Sequence, residues 1–457
     1  MTQLTSAFAR FFKRWIPEPI TLAALLTVAA LGAAALAGDF PAASQSRWLS
    51  LFHYWYQGIW QPPLLVFMIQ MLLILVLGHT LALAPPAQKM LDKLARLPQN
   101  VAQGAAIIVL LAMLASGVNW GLGLVFGAIA ARKVAEALGQ KGQAYNYPLL
   151  GAAAYAGFMV WHAGLSGSAP LKAAEPGHLT DLMAGMAGSE ALPAFISLQH
   201  TTFSAANLIS WAALLVVLPA LVYQLAKSAS ATEGPGPKLP EKTSAPNTGR
   251  EPAEKFDYSS WLGRGLAFIV LLTAALLVST SGGRFLNLNF INFTFLGLGL
   301  WAHKNLHAFA QAAQKAAAGT AGILIQFPLY FGIMGLLKSS GLIALLSAGL
   351  LSLANENSLA LFTFLSAGLV NFFVPSGGGQ WAIQGPIALQ SALELGVPLS
   401  KQILALAYGD QITNMMQPFW ALPLLSITGL KARDILPYTL LLMIPGALIY
   451  LAVLLLL

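Results

Sequence analysis

The chain has 457 residues, 57% of them hydrophobic and only 9% charged, against roughly 25% charged in an ordinary soluble domain. That composition excludes a water-soluble globular fold. The apolar residues gather in stretches of about 20, the length that crosses a bilayer core, and predict an all-α polytopic membrane protein. The net charge of +8 gives no case for nucleic acid, because the basic residues are scattered among loops instead of forming a patch. The absence of cysteine excludes disulfides and thiolate chemistry.

In chain order, residues 1–15 are expected to form an amphipathic surface helix, with Arg10, Lys13 and Arg14 ahead of a first crossing at 21–37. Ala35-Leu-Ala-Gly38 faintly resembles a signal-peptidase site, but the run is longer than the 7–15-residue apolar core of a cleaved signal, so the helix is read as retained. Residues 47–60, carrying Trp48, Tyr54, Trp55, Tyr56 and Trp60, have the aromatic content of an interfacial helix. A second crossing follows at 62–84, then a short basic loop with Lys89, Lys93 and Arg96. A first hairpin, 101–138, is interrupted at Gly117-Val-Asn-Trp-Gly-Leu-Gly123. The apolar run 147–171 is broken by His162–Pro170, and a polar stretch with Glu175, His178, Asp181 and Glu190 leads to a crossing at 203–225.

Residues 226–262 are dominated by Pro, Gly, Ser, Lys and Glu, the composition of a flexible linker. Beyond it come apolar runs at 264–281 and 286–302, an amphipathic helix at 304–316, a crossing at 318–337, a second hairpin at 358–394, a broken span at 402–430 and a last crossing from Ile435. The second hairpin contains Pro375-Ser-Gly-Gly-Gly379. Such a break inside hydrocarbon is tolerated only where backbone lines a polar cavity or is shielded by protein.

A shift of 257 residues lays Ser116–Gly139 on Phe373–Gly396, with Asn119 on Ser376 and Gly121 on Gly378. With a small gap, Ala154-Tyr155 falls on Ala407-Tyr408 and Pro170-Leu171 on Pro423-Leu424, so the two broken spans correspond. Interrupted segments at matching positions are the sequence sign of a duplicated transporter. If the N-terminus is cytoplasmic, each Gly-rich pair a re-entrant hairpin, and the full crossings nine, then all but five of the 24 Lys and Arg lie on the cytoplasmic side, as the positive-inside rule requires. The organisation expected is a first inverted repeat (1–225), the linker (226–262), an extra connecting helix (263–282) and a second inverted repeat (283–457).

Three motifs, Trp161-His-Ala-Gly-Leu-Ser-Gly-Ser-Ala-Pro170, Val374-Pro-Ser-Gly-Gly-Gly-Gln-Trp-Ala-Ile-Gln-Gly-Pro386 and Gly409-Asp-Gln-Ile-Thr-Asn-Met-Met-Gln-Pro418, together resemble the short-chain fatty acid transporter family of the ion transporter superfamily. The resemblance spans essentially the whole chain. It implies a bacterial inner-membrane carrier of butyrate, acetoacetate and similar monocarboxylates, with a scaffold domain, a mobile transport domain with two re-entrant hairpins, and a homodimeric assembly. No enzymatic activity and no cofactor are expected, only a coupling ion, Na+ or H+.

A carboxylate in a dry site needs positive potential, yet no Lys or Arg lies in the apolar cores; half-helix N-termini supply it instead. The substrate-binding candidates are Asn119, Gly121 and Gly123 at the first tip, Ser376, Gly377, Gly378, Gly379, Gln380 and Trp381 at the second, and His162, Ser166, Ser168, Asn414 and Gln417 at the breaks. Asp410, Thr413, Asn414 and Ser376, with unwound carbonyls near 162–168 and 410–417, are the cation candidates. The apolar part of the substrate is expected on Trp381, Phe419 and Trp420. His162 and Asp410 together suit a proton. Glu136 and Glu394 are read as hairpin-end residues, not ligands. Two rival readings are a dicarboxylate or aromatic-acid carrier of the same superfamily and, on the strength of Gly164-Leu-Ser-Gly167 beside His162, a rhomboid-like serine protease.

Overall fold

The structure is a computed structural model and describes residues 17–38, 46–184, 192–228, 254–280, 288–318 and 320–456. The surface helix expected at 1–15, linker residues 229–253, Glu190 and Arg284 lie outside the described residues. Among the described residues the chain is helical without strands, and seven helices are long and apolar enough to cross a membrane.

The first half begins with α1 (Pro19–Ala37), α2 (Arg47–Ile59), α3 (Pro62–Leu83) and α4 (Pro85–Arg96). Proline stands in the first turn of α1, α3 and α4, where its missing N–H would have had no helical partner. α4 corrects the expected basic loop: Pro85-Pro86 start a helix whose last turn carries Lys93 and Arg96, the basic side chains that favour a C-terminus. The interfacial helix α2 packs on a later crossing through Gly58. A Cβ there would lie 2.9 Å from Gly335 Cα and 3.1 Å from Gly332 Cα, so the two backbones touch only because small residues face each other.

α5 (Val101–Val118) and α6 (Trp120–Gln140) form the first hairpin. The first broken span is α7 (Tyr147–Tyr155), a 3-10 turn at Ala156–Met159, a non-helical stretch, and the one-and-a-half-turn α8 (Ser168–Ala173). A short helix α9 (His178–Leu182) precedes the long crossing α10 (Ala205–Ser228). After α11 (Glu254–Asp257), the pair α12 (Ser260–Thr280) and α13 (Leu288–Ala302) leads to the amphipathic α14 (Leu306–Ala317). α15 (Ala321–Ser339) is the crossing that carries Gly332 and Gly335.

α16 (Leu342–Leu351) is a 10-residue helix absent from the sequence expectation, set off from α15 by Gly341 at φ +69°. The second hairpin is α17 (Leu359–Asn371) and α18 (Gly377–Leu395). The second broken span is α19 (Leu399–Thr413), a 3-10 turn at Asn414–Met416 and α20 (Pro418–Thr428). α21 (Ala432–Leu456) closes the chain.

Six of the nine expected crossings are single helices of spanning length, two are the two-piece spans, and α13, with 15 residues, is shorter; α5 also reaches spanning length at 18. α17 packs along α19, α5 along α10, and α20 against α6. The hairpins and broken spans thereby form one core that the other helices surround. Several crossings keep exposed apolar surface: Leu36 and Val28 on α1, Val216 on α10 and Leu448 on α21.

Candidate transport site at the broken helices

The first tip is sharper than its glycines suggest. Helix α5 runs to Val118 and α6 resumes at Trp120, leaving Asn119 alone between them. Its Oδ1 accepts from the N–H groups of Gly121 (2.9 Å) and Leu122 (3.1 Å), satisfying two donors that a helix start leaves free. Gly121 and Gly123 are helical and face protein: Gly121 packs on Asn119 and Ile74, Gly123 on Ser116. They close the hairpin; they do not open backbone to a ligand, and this corrects their expected role.

At the second tip Ser376 is the matching cap, its Oγ accepting from Gly379 N–H at 3.2 Å. Asn119 and Ser376, paired by the internal alignment, therefore hold equivalent places at the two tips.

Both tips touch the first break. The Gly117 carbonyl accepts from Leu165 N–H (2.8 Å) and Ser166 Oγ from Trp120 N–H (3.1 Å). From the other side, a Cβ on Gly377 would lie 2.8 Å from both His162 Cε1 and Trp161 Cη2, whereas Gly378 has only Ser168 near it, at 3.7 Å. Glycine at 377 lets the second tip lie flat on the His162 ring.

His162 and Asp410 form the electrostatic centre, both fully buried. His162 Nδ1 lies against Asp410 Oδ2, joining the first broken span to the second. The other ring nitrogen, Nε2, accepts from Ala169 N–H at 3.2 Å. An accepting Nε2 places the imidazole proton on Nδ1, facing the carboxylate. Gln411 holds the backbone of the same turn, its Oε1 accepting from His162 N–H (2.8 Å) and Ala163 N–H (3.3 Å). Trp161 stacks on the imidazole with centroids 4.6 Å apart. Asp410 Oδ1 has no hydrogen-bond partner.

Around Asp410 the expected cation groups converge, gathered by a residue the sequence reading passed over. Asn371, at the end of α17, holds its Nδ2, whose two hydrogens are shared among three acceptors, within reach of Asp410 O (2.7 Å), Thr413 Oγ1 (2.9 Å) and Asn414 Oδ1 (2.8 Å). Its own carbonyl accepts from Gln417 Nε2 at 2.6 Å. The unwound carbonyls near 410–417 are already accepting as well: Tyr155 OH donates to Asn414 O (3.0 Å) and Gln417 O (3.2 Å), and Thr439 to Met415 O (2.6 Å). Ser376 belongs to the second tip's own cap and no contact joins it to Asp410.

Other candidates fall outside this centre. Gln380 is tied to Ala367 O and Gln384. Trp381 points to another cluster, its indole N–H donating to His178 Nε2 at 3.0 Å, so the expected apolar surface at Trp381 is not beside Phe419 and Trp420. Glu136 pairs with Arg132 (3.0 Å) and Glu394 accepts from Gln390 (2.9 Å), both as hairpin-end residues. The Ser–His pair of a protease is not assembled, since Ser166 Oγ is occupied by Trp120 N–H and both nitrogens of His162 are engaged elsewhere.

Phe419 and Trp420 instead join an aromatic cluster at the first tip. Trp120 lies 5.2 Å from Trp420 and 6.2 Å from Trp161, Phe158 lies 5.5 Å from Trp420, and Phe67 lies 6.1 Å from it, measured between ring centroids. Trp120 was not singled out in the sequence, although it stands inside the Gly-rich break.

Membrane-crossing helices surrounding two helix hairpins and two interrupted spans, whose buried polar groups meet at one place, define a multi-pass membrane transporter. The chain belongs to the short chain fatty acid transporter family, whose profile matches residues 1–457. A protein of Escherichia coli K12 is 37% identical over 441 residues, 95% of each chain, and one of Haemophilus influenzae Rd is 36% identical over 444 residues, 96% of each. Both carry the provisional name short-chain fatty acid transporter. Among solved structures the chain is similar to the Alcanivorax borkumensis YdaH transporter (TM-score 0.45, 18% identity, covering 95% of this chain and 98% of that one). It is also similar to Neisseria gonorrhoeae MtrF (TM-score 0.39, 15% identity, covering 98% and 96%).

Proposed function

We propose that the protein carries short-chain monocarboxylates, butyrate and acetoacetate among them, across the bacterial inner membrane by alternating access. The two halves act as inverted repeats in a homodimer, with the N-terminus cytoplasmic and the linker between the repeats. The observation that carries this reading is the junction of His162, Asp410 and Gly377. Residues from both broken spans and from one hairpin tip meet there in a buried site, so protonation, helix breaks and hairpin position are mechanically connected.

The same junction favours H+ over Na+ as the coupling ion. Asp410 has a free oxygen and a histidine partner, whereas the carbonyls of Asp410, Asn414, Met415 and Gln417, among those expected to ligate sodium, each already accept a hydrogen bond. Protonation of Asp410 would release its hold on His162 and with it the surface on which Gly377 lies. The single-carboxylate substrate is supported by the lack of any Lys or Arg among the groups that meet there. A second carboxylate would leave an uncompensated charge in a dry site.

The test is uptake of labelled butyrate and acetoacetate into proteoliposomes. An inward proton gradient without sodium and, separately, an inward sodium gradient at fixed pH are imposed, each with a protonophore control. Saturable uptake driven by the proton gradient is expected. Uptake driven only by sodium would overturn the coupling assignment, and uptake no greater than in empty liposomes would overturn the substrate class.

A further inference from the structure

The buried polar atoms that lack partners are not randomly placed around this site. Beside Asp410 they are of both kinds: Asp410 Oδ1, Asn371 Oδ1 and Gln417 Oε1 are acceptors, and Gln411 Nε2 and Asn414 Nδ2 are donors. In the aromatic cluster and the first tip that adjoins it, the side-chain nitrogens of Asn119, Trp161 and Trp420 lack partners, and all three are donors; the Ser116 hydroxyl at the same tip also lacks one. These three residues are at least 98% buried. Leaving one N–H unmet in such surroundings is costly, and natural structures rarely tolerate it.

The cluster ties the three donors together. Trp120 immediately follows Asn119 and its ring lies 6.2 Å from Trp161 and 5.2 Å from Trp420, while Trp161 and Trp420 are themselves 5.9 Å apart. Asn119 cannot turn its amide to bring its oxygen inward, because Oδ1 is held by the N–H groups of Gly121 and Leu122. Its Nδ2 is thereby fixed as a donor. An indole N–H has no acceptor form at all. These three side chains offer hydrogen to an incoming group and no lone pair, and the unpartnered Ser116 hydroxyl can donate as well. The aromatic faces beside the indoles come from Phe67, Phe158, Trp120 and Phe419.

We infer that this aromatic cluster is the substrate subsite, in which Trp161 Nε1, Trp420 Nε1 and Asn119 Nδ2 recognise the carboxylate and the surrounding rings hold a short acyl chain. The inference rests on the monocarboxylate reading above and adds its residues. A carboxylate is acceptor-only when ionised, so it satisfies donors that an alcohol or a second amide would satisfy less well. The rings now contact one another, so a substrate enters as they separate. Small acyl groups need the least separation, and the cluster selects against long chains for that reason. Trp161 also stacks on His162, which places the substrate head-group one ring away from Asp410.

The experiment is butyrate counterflow in proteoliposomes at equal pH and without imposed gradients, comparing wild type with Trp161→Phe, Trp420→Phe and Asn119→Asp. The phenylalanine variants keep an aromatic face and remove only the N–H and part of the ring. Asn119→Asp keeps an oxygen to cap Gly121 and Leu122 and replaces the donor with an acceptor. Trp301→Phe, at an exposed position at the end of α13 (52% exposed), is the control for tryptophan loss, and size-exclusion profiles establish folding. At least a tenfold rise in the half-saturating butyrate concentration is expected in each of the three site variants and none in the control. Hexanoate should compete more weakly than butyrate in wild type. Wild-type half-saturation in all three variants, with butyrate still exchanged by wild type, would overturn the donor set while leaving the transport reading intact. Absence of monocarboxylate exchange by wild type would overturn both. If a phenylalanine variant fails to fold, Asn119→Asp alone decides, through the same tenfold criterion.

Discussion

Replacing Gly377 by alanine places one methyl group between the second hairpin tip and the two rings of the first break. The new Cβ would stand 2.8 Å from His162 Cε1 and 2.8 Å from Trp161 Cη2, where ordinary contact begins at 3.4 Å. Neither ring can yield easily: His162 is held at both nitrogens and Trp161 is stacked on it. The tip must therefore retreat by at least half an ångström, or strain of about 1–3 kcal/mol must be absorbed, as for other insertions into packed interiors. Alanine regains up to about 1 kcal/mol of helix propensity at this position, so overall stability should change little while the seated position of the tip is lost. A shift of about 1.4 kcal/mol between seated and withdrawn tips is a tenfold change in their populations. Butyrate transport by Gly377→Ala should fall at least tenfold, with a melting temperature near that of wild type. Gly378→Ala is the comparison, since its Cβ would meet Ser168 at an ordinary 3.7 Å; it should leave the tip seated and lose less transport than Gly377→Ala. Normal transport by Gly377→Ala, or equal loss in both variants, would refute the seating of the tip on His162.

Four further outcomes are expected. Asp410→Asn keeps an oxygen that can face His162 Nδ1, so the fold should persist; gradient-driven accumulation should disappear while butyrate exchange continues, and accumulation equal to wild type would sink the coupling role. Tyr155→Phe removes the donor to Asn414 O and Gln417 O, which should cost about 1–3 kcal/mol and show as a lowered melting temperature in detergent. Ser376→Ala removes the cap on Gly379 N–H at a cost of about 1 kcal/mol; it should weaken butyrate affinity, and Ser376→Asn should restore it. At the extramembrane His178, burial and then the Lys172 charge hold the imidazole below its usual value, against the opposing pull of Glu175 and Asp181. Its neutral Nε2 accepts from Trp381, so this stability is complete above the unfolded value near 6.5 and is lost as pH falls through the lower folded one. The melting temperature should drop between pH 7.5 and pH 5, and Lys172→Gln, which removes the second of those causes, should lessen the drop.

Much of the architecture was legible because hydrocarbon leaves so few options. Spanning length, the proline and glycine breaks, and the aromatic content of 47–60 each follow from what an unpaired backbone group costs in lipid. The matching roles of Asn119 and Ser376 followed from the 257-residue shift, and both are caps. What was missed lies where polarity is small or contact is tertiary. Helix α16 is only 10 residues, below any spanning criterion, and falls between the crossing expected at 318–337 and the hairpin at 358–394, where the sequence reading assigns no element. Gly121 and Gly123 were read as open backbone because sequence does not reveal that Ile74 and Ser116 fill the space beside them. Asn371, which gathers Asp410, Thr413 and Asn414, stands at the end of an otherwise apolar helix; an isolated amide there was a visible signal, but its three partners are 39 to 43 residues away. Trp381 was grouped with Phe419 and Trp420 by residue type, and only the fold shows it turned toward His178.

The absence of a cationic side chain at the site bears on how coupling is enforced. With His162 carrying its proton on Nδ1 and Nε2 occupied by Ala169 N–H, a further proton has its nearest acceptor on Asp410. A carboxylate arriving among Asn119, Trp161 and Trp420 while Asp410 is ionised would place two like charges on either side of one imidazole. At an effective dielectric of about 20, two unit charges about 4 Å apart repel by roughly 4 kcal/mol, and by less in proportion as they separate; this is the penalty on anion binding. An uncharged Asp410 carries no such penalty, so in the proposed mechanism the charge on Asp410 and the occupancy of the anion site are linked reciprocally. A lysine in the site would abolish this mutual dependence, because the anion would be held whether or not the cation had arrived. Neutral N–H donors bind the carboxylate without relieving the repulsion, and so leave its occupancy dependent on the state of Asp410.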